Sequence, residues 1–248
     1  MAGAESSDPV GAELAAVQAN LPIALCSYGL AGRRWGLVIV DEVNGFCTVG
    51  AGALAPRAPN AQVAQMVAET ERLARRCAAE GRPIAAFLDT HQPGVPEPPY
   101  PLHCERGTGE EDLVPELQWL KNADNVDLIE KDCINGFIGA IDVKTGDNRI
   151  GVWIARHALD SVIVVGICTD ICVMDFVLTL LSARNHRLVP PLEDIVVYAP
   201  GCATYDLPRD VVRAAGLPET AFHPQAIAHH AGLYMMASRG AILAERLI

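Results

Sequence analysis

The sequence predicts an α/β protein in which a doubly wound parallel sheet carries helices on both faces. Short runs rich in Val, Ile and Leu recur along the chain, and such runs are typical of strands buried in a parallel sheet. Stretches with helical periodicity lie between these runs, and no repeat or linker divides the 248 residues. Strands and helices in alternation build a parallel sheet with right-handed crossovers.

The first part of the chain contains the clearest helix signal. We expect residues 1–32 to form an N-terminal helix and an irregular lead-in, and residues 33–248 to form one domain. A buried strand is predicted over 36–41. The segment 58–81 has apolar residues at helical spacing and ends at Gly81, which is typical of a helix end.

A long Pro-rich loop follows the second predicted strand. That strand covers 83–90 and the loop covers 91–117, and compact domains rarely carry a loop of this length unless it has a function. The remaining predicted elements are, in order, a strand over 126–131, a helix over 148–159, a strand over 161–167, a helix over 169–187, a strand over 194–201 and a terminal helix over 219–247.

The composition excludes some classes of partner. The chain has a formal net charge of −11 and no block of basic residues, so we expect no binding to nucleic acid or to an anionic membrane. The apolar runs are too short to span a bilayer, and the acidic N-terminus lacks the apolar core of a signal peptide. We therefore expect a soluble cytoplasmic protein with access to the nucleus, whose eight cysteines are reduced.

Reactive side chains follow four of the predicted strands. Asp41, Asp89, Lys131 and the segment leading to Cys172 each come directly after an apolar run. The carboxyl ends of parallel strands meet at one edge of the sheet, where α/β proteins hold their ligands. An acid, a cation and a thiol should therefore meet in one crevice, which indicates an enzyme.

Cys172 is predicted to lie in the first turn of a helix capped by Thr169 or Asp170. The helix dipole and the free N–H groups at that end favour a thiolate and could hold an oxyanion. The alternative is a buried structural cysteine, and the segment alone favours neither. Cys168, four residues earlier, does not match the C-x-x-C spacing of metal or redox sites.

Asp41 and Lys131 are candidates for activating that thiol. A carboxylate after a buried strand is costly unless it is paired or takes part in chemistry, and a partly buried lysine needs a carboxylate partner. Asp41 could instead cap a turn, and Lys131 could reach solvent. Together with Cys172 they form a set in which an ammonium lowers the pKa of the thiol and a carboxylate accepts its proton.

A second cluster has the residue types of a metal site. It contains Asp89, His91, Glu97 and His103, and mixed carboxylate and imidazole ligands suit Zn²⁺, Mn²⁺ or Fe²⁺. The alternative is a solvated polar loop. Cys104, beside His103, is a competing ligand, although packing is its expected role.

Four motifs in order resemble those of a known family. LVIVDEVNGFC, FLDTHQPGVPEPPYPLHC, EKDCINGF and VVGICTDICV are similar to the motifs of the nicotinamidases, especially the plant-type ones, within the isochorismatase-like cysteine hydrolases. The resemblance covers residues 33–240 and implies a Rossmann-like hydrolase fold. No single motif is decisive, whereas the ordered set is highly specific.

The resemblance implies a role for each candidate residue. The catalytic triad falls on Asp41, Lys131 and Cys172, and the N–H groups of the oxyanion hole fall on Cys168 and Cys172. The metal ligands fall on Asp89, His91 and His103, with Glu97 in place of the histidine common elsewhere, bound directly or through water. The walls of the substrate pocket fall on Phe46, Tyr100 and, as a looser match, Phe137. Glu42 departs from the family, which usually has an apolar residue there.

The implied activity is hydrolysis of nicotinamide to nicotinate and ammonia through a cysteine thioester, in NAD salvage. One divalent ion per chain, Zn²⁺ or else Mn²⁺ or Fe²⁺, would bind the pyridine nitrogen. The peptide bond between Ile167 and Cys168 is expected to be cis. Two alternatives are a relative that hydrolyses another small amide or an isochorismate-like vinyl ether, and an inactive scaffold of the same fold. Cys172 and the intact triad argue against the vinyl ether and the scaffold.

A homo-oligomer is also expected, because relatives commonly form assemblies of closed symmetry. The predicted terminal helix carries apolar residues at helical spacing, which could form an interface. These residues include Ile227, Leu233, Met236 and Ile242, with His229 and His230 beside them. The alternative is that this helix covers its own sheet.

Overall fold

The computed structural model describes residues 9–248, and within them seven strands form one parallel sheet. The strands are ordered β1-β7-β6-β5-β2-β3-β4 across the sheet. Their bounds are β1 Cys26–Tyr28, β2 Trp35–Val40, β3 Ile84–Asp89, β4 Val126–Lys131, β5 Ser161–Ile167, β6 Asp194–Ala203 and β7 Ile242–Leu247.

Eight α-helices and two 3₁₀ helices accompany the sheet in the described residues. The α-helices are α1 Pro9–Asn20, α2 Asn44–Cys47, α3 Ala61–Glu80, α4 Gly136–Gly139, α5 Arg149–Arg156, α6 Cys172–Asn185, α7 Arg209–Ala214 and α8 Gln225–Ala237. The 3₁₀ helices are Pro115–Asn122 and Glu219–Ala221. Of the predicted lead-in over 1–32, the first eight residues lie outside the described part.

The core has two halves, one on each face of the sheet. Helices α4, α5, α6 and α8 pack on one face, and α3 with the first 3₁₀ helix packs on the other. Every residue of β2, β3 and β5 is buried, as expected for strands that are covered on both faces. The predicted doubly wound fold is therefore confirmed.

Helix α3 ends as its sequence predicts. Asn60 caps its first turn by accepting hydrogen bonds from the N–H groups of Gln62 and Val63. Gly81 closes the other end in the left-handed conformation with φ 63°, which glycine adopts without a steric penalty.

Two edge elements differ from the prediction. The predicted terminal helix over 219–247 is wrong in its last part, because α8 ends at Ala237 and the chain re-enters the sheet as β7. Gly240, at φ 101°, lies in the turn, and β7 then pairs with β6 on one side and β1 on the other. The lead-in supplies β1, which was expected to be irregular. Both strands form their backbone hydrogen bonds with segments that are distant in sequence, and the local pattern of apolar residues does not indicate such pairing.

The expected interface on the terminal helix has a different explanation. Leu233 and Met236 are buried against the chain's own core, His230 is buried, and Ile242 belongs to β7 rather than to a helix. This segment therefore covers its own sheet. The expected homo-oligomer stays a prediction.

The register of the sheet brings the strand ends to one edge. Asp89 is paired with Lys131 across β3 and β4, and Val40 is paired with Gly166 across β2 and β5. Gly166 has φ +128°, and a Cβ there would overlap the backbone carbonyl of Val40. The absence of a side chain lets the end of β5 approach the end of β2, where Asp41 follows. No helix of the described residues is long and apolar enough to cross a membrane.

Candidate active site

A buried lysine joins two carboxylates at the carboxyl edge of the sheet. The Nζ of Lys131 lies 2.8 Å from Oδ2 of Asp41 and 2.8 Å from Oδ1 of Asp89. Asp41 follows β2 with a positive φ of 56°, an uncommon conformation for a residue other than glycine. All three side chains are almost fully buried, so each charge depends on the others for compensation.

Burial sets the protonation of this group. Burial raises the pKa of Asp41 to about 6, although the Lys131 ammonium opposes the shift. Burial lowers the pKa of Lys131, but the carboxylates of Asp41 and Asp89 raise it more, so the ammonium persists at neutral pH. Asp41 can therefore exchange a proton near neutrality while Lys131 stays charged.

Cys172 completes the predicted set as the first residue of α6. It is buried, and two charges act on its thiol: the Lys131 ammonium lowers the pKa of the thiol and the Asp41 carboxylate raises it. Burial raises the pKa of the Cys172 thiol well above its ordinary value, and the Lys131 ammonium offsets only part of that rise. The cysteine is thus a thiol at neutral pH and needs a base to become a nucleophile.

The predicted cap of α6 is wrong. The N-cap residue is Ile171, which makes no side-chain capping hydrogen bond. The hydroxyl of Thr169 is instead hydrogen bonded to Nδ1 of His229 at 2.8 Å, and Asp170 accepts from Thr204 and His223. Both polar side chains find partners in other elements, so neither caps the helix, and the N–H of Val173 instead donates to the carbonyl of Cys168 at 3.1 Å.

The turn before α6 contains the two backbone N–H groups that the resemblance assigns to the oxyanion hole. Within residues 9–248, neither the N–H of Cys168 nor that of Cys172 has a backbone hydrogen-bond partner. The peptide bond between Ile167 and Cys168 is cis, as the family resemblance implies. Two free donors beside a thiol are the arrangement that an oxyanion requires.

Asp89, His91 and His103 form a candidate metal site. Their donor atoms lie within 4.8 Å of one another, and all three residues are buried. Nε2 of each histidine is 3.2 Å from Oδ2 of Asp89. That Oδ2 and the Nε2 of His91 are buried without a hydrogen-bond partner in the described structure. The far nitrogen of His103, Nδ1, is 2.8 Å from the carbonyl of Pro101, which orients the ring as in known metal ligands. The residues therefore fit a divalent cation.

Glu97 lies at the margin of this cluster. Its Oε1 accepts a hydrogen bond from the N–H of Ile134 at 2.8 Å, which fixes the carboxylate. Its Oε2 is 3.7 Å from Nε2 of His91 and 3.9 Å from Nε2 of His103. Glu97 is thus beside the donor set, at a distance that suits either direct ligation after a small movement or a bridging water.

The predicted pocket walls differ in their positions. The rings of Phe46 and Tyr100 are half-buried, and their centroids lie 5.7 Å and 6.1 Å from that of His103. Phe137 is buried in the core cluster that also contains Cys172, so its contact with a substrate stays a prediction. Cys104, the competing metal ligand, is buried against Gly45 and is a packing residue.

Glu42 has no direct role in this arrangement. It is fully buried, and Thr70 of α3 donates a hydrogen bond of 2.6 Å to its Oε1. Burial raises the pKa of Glu42 well above its usual range, and the hydrogen bond from Thr70 offsets only part of that rise. Burial therefore favours the protonated form of its carboxyl group, which is directed towards Thr70 of α3.

A family model identifies the chain. The model described as "Isochorismatase domain" matches residues 36–206. The chain belongs to the isochorismatase family. It is similar to the curated protein Nicotinamidase 1 of Arabidopsis thaliana, with 50% identity over 212 residues that cover 86% of each chain.

Solved structures of this family share the fold. A nicotinamidase from Bacillus subtilis matches with a TM-score of 0.62 at 21% identity, covering 86% of this chain and 99% of the other. A pyrazinamidase from Pyrococcus horikoshii, solved in complex with zinc, matches with a TM-score of 0.57 at 18% identity, covering 85% and 98%. The doubly wound sheet of this isochorismatase-family chain is therefore one that known amidases also adopt.

Proposed function

We propose that this protein hydrolyses nicotinamide to nicotinate and ammonia, through a thioester on Cys172. The observation that carries the proposal is the buried contact of Lys131 with Asp41 beside the thiol, next to a candidate metal site. The similar Arabidopsis protein is a nicotinamidase, which favours this substrate among small amides. The product is a precursor for NAD, so the reaction belongs to NAD salvage.

The first half of the reaction forms the thioester. Asp41 takes the proton of the Cys172 thiol, and the sulfur attacks the carbonyl carbon of the amide, whose π electrons move to oxygen. The N–H groups of Cys168 and Cys172 donate to this oxyanion. The oxyanion then re-forms the carbonyl, the C–N bond breaks, and Asp41 returns its proton to the departing ammonia.

The second half releases the acid. Asp41 accepts a proton from a water molecule as the water oxygen attacks the thioester carbon. The C–S bond breaks, the acid leaves and the sulfur regains the proton. Lys131 stays charged throughout and stabilises whichever neighbour is negative, carboxylate or thiolate.

Asp89, His91 and His103 would hold the metal, with Glu97 bound directly or through water. When bound, a divalent cation such as zinc supplies a Lewis-acid contact for the ring nitrogen of the substrate. Phe46 and Tyr100 would hold the aromatic ring between them, and orientation of the amide towards Cys172 is their contribution to the rate. We further propose that the protein works in the cytoplasm as a homo-oligomer.

Ammonia release tests this function. Purified protein incubated with nicotinamide should release ammonia and nicotinate in equal amounts. Benzamide has the same amide on a ring without nitrogen. It should be a much poorer substrate, because the proposed metal contact needs the ring nitrogen. If nicotinamide released no ammonia and another small amide did, the proposed substrate would be wrong and that amide would replace it.

His91→Ala should lower the metal content and raise KM. The substitution removes one of three clustered donors. Loss of a group that only supports a ligand weakens a metal site by about 10–100-fold, so loss of a ligand should cost at least as much. The metal content, measured by plasma mass spectrometry after dialysis, should fall well below one ion per chain. His186→Ala, at an exposed histidine, is the control and should keep the metal. Equal metal content in the two variants would remove His91 from the site.

Activity should fall at acid pH through the titration of Asp41. The base must be ionised to accept the thiol proton, and its pKa is raised to about 6 by burial. The ionised fraction is nearly complete above that value and declines about tenfold per pH unit below it. A plot of kcat/KM against pH should therefore decline below about pH 6, whereas an ordinary carboxylate would give a decline near pH 4.

A further inference from the structure

The segment after β6 returns to the turn that carries the nucleophile. Residues 204–223 begin at the end of β6, whose neighbour in the sheet is β5, the strand that leads to Cys168. An antiparallel bridge between Leu207 and His223 closes the segment, and α7 and the second 3₁₀ helix lie within it. Both ends of the segment are thus held at the edge of the sheet where Cys172 lies.

His223, at the end of this segment, lies between two acceptors. Its Nδ1 is 2.9 Å from the carbonyl oxygen of Tyr205, and its Nε2 is 2.8 Å from Oδ2 of Asp170. A carbonyl and a carboxylate only accept, so both ring nitrogens must carry a proton. The geometry therefore requires an imidazolium, which forms an ion pair with Asp170 in a largely buried setting.

Asp170 lies in the turn between Cys168 and Cys172 and is held from several sides. Thr204 donates a hydrogen bond of 2.7 Å to its Oδ1. Gly232 of α8 packs so closely that a Cβ there would lie 2.8 Å from the Cα of Asp170. The next residue towards Cys168, Thr169, donates its N–H to the carbonyl of Ala203 at 2.8 Å. The position of the turn thus depends on contacts with β6, with α8 and with His223.

The imidazolium also holds an aromatic side chain. The ring of Tyr205 stacks on that of His223, with centroids 3.8 Å apart and planes inclined by 13°. A charged ring over a tyrosine face gains a cation–π attraction that a neutral ring lacks. The positive charge of His223 therefore stabilises both its ion pair with Asp170 and its stacking on Tyr205.

We propose that His223 is a positioning residue for the amide hydrolysis, which in its charged form holds Asp170 and thereby the turn that presents the Cys168 N–H and the Cys172 thiol. This inference rests on the proposed function, because its test measures the rate of nicotinamide hydrolysis. His223 touches neither the thiol nor the metal cluster, and it acts through Asp170 alone.

The titration of His223 gives the proposal a signature. The groups that act on it are Asp170 in the turn and Tyr205 and Asp206 in its own segment, and His229 of α8 contacts the same turn through Thr169. Burial lowers the pKa of His223, but the hydrogen bond and charge of Asp170 raise it more, so the net shift is upward. The imidazolium is therefore present below this raised pKa and is lost as the pH rises through it.

His223→Asn tests the role by its pH profile. The variant keeps one donor but has no charge, so kcat for nicotinamide at pH 6.5 should fall about tenfold with KM changed by no more than about twofold. The wild-type kcat should fall towards the variant value as the pH rises, because the imidazolium is lost. His186→Asn, at an exposed histidine, should match the wild type at every pH. A variant with wild-type kcat, or with an equal loss at all pH values, would overturn the proposal.

A measurement on the wild-type protein separates this proposal from the proposed function. Nitrogen NMR of protein with labelled histidine should show, at pH 6.5, a ring with both nitrogens protonated whose signal is absent from His223→Asn. A neutral His223 in the wild type would overturn the proposal even if the variant failed to fold. If nicotinamide is not a substrate, the rate of Cys172 alkylation by iodoacetamide replaces kcat. The ratio of the wild-type rate to the His223→Asn rate should then fall towards one as the pH rises, since both proteins share the ionisation of the thiol.

Discussion

Cys172→Ala should reduce ammonia release from nicotinamide by about 10³-fold or more, because no other group can form the covalent bond to the carbonyl carbon. The substitution removes one sulfur from a side chain that is 9% exposed at the start of α6, so little packing is lost. The far-ultraviolet circular dichroism and the metal content should match the wild type. Mass spectrometry with a slowly hydrolysed amide should detect an acyl adduct on Cys172 and none in the variant.

Cys168→Ala is the matched control for this substitution. Cys168 lies four residues earlier on the same turn, and its proposed contribution is its backbone N–H, which alanine retains. The variant should keep most of the activity. A loss as large as that of Cys172→Ala, or an acyl adduct on a different cysteine, would contradict the assignment of the nucleophile.

The central strands could be predicted from the sequence because their burial is uniform. β2, β3 and β5 are covered on both faces, so the sequence of each is a nearly continuous apolar run with a polar or sulfur side chain at or just after its end. β1 and β7 lack this pattern. β1 is three residues long, and β7, next to it, carries two exposed charged residues, Glu245 and Arg246, before its last residue. Their pairing depends on contacts between segments more than 200 residues apart.

The candidate site could be predicted in its main parts for a related reason. In a parallel sheet the ends of neighbouring strands meet, so Asp41, Asp89, Lys131 and Cys172 are brought together by topology alone. Asp89 contacts Lys131 directly because the two residues are paired in register.

The cluster around Asp170 was missed because it involves no strand end of that kind. His223 lies 53 residues after Asp170, on a segment whose return to the sheet edge no local pattern indicates. Thr169 and Asp170 are good capping residues by type, which favoured the wrong prediction. The structure shows that tertiary partners compete with the helix end for these side chains.

Glu42 shows how adjacent residues of the same type can differ in role. Asp41 and Glu42 are neighbours in sequence and are both fully buried. The backbone leaves the extended conformation at Asp41, with φ 56°, and the two side chains then diverge: Asp41 meets Lys131, whereas Glu42 meets Thr70 on α3. The Lys131 ammonium favours the carboxylate form of Asp41, whereas the Glu42 carboxyl has only a hydroxyl beside it and burial raises its pKa further.

Asp41→Asn should lower kcat for nicotinamide by about 10³-fold, because the amide cannot accept the thiol proton or return it to ammonia. The Cys172 thiol has a pKa raised well above its ordinary value, mainly by burial, so it does not ionise without a base at neutral pH. Asparagine has nearly the same shape, and Lys131 keeps its contact with Asp89, so the fold should persist. The remaining activity should also lose its decline below about pH 6, since the group that titrates there has been removed.

Glu42→Gln is the matched control, one residue away and equally buried. Burial raises the pKa of its carboxyl group well above the usual range and so favours the neutral form that glutamine mimics. Glutamine can accept the hydrogen bond from Thr70 as the acid does, so kcat and KM should stay within about twofold of the wild type. The acid decline near pH 6 should remain, because Asp41 still titrates. If Glu42→Gln abolished that decline and Asp41→Asn kept it, the base would be Glu42, and Asp41 would serve only to balance the charge of Lys131.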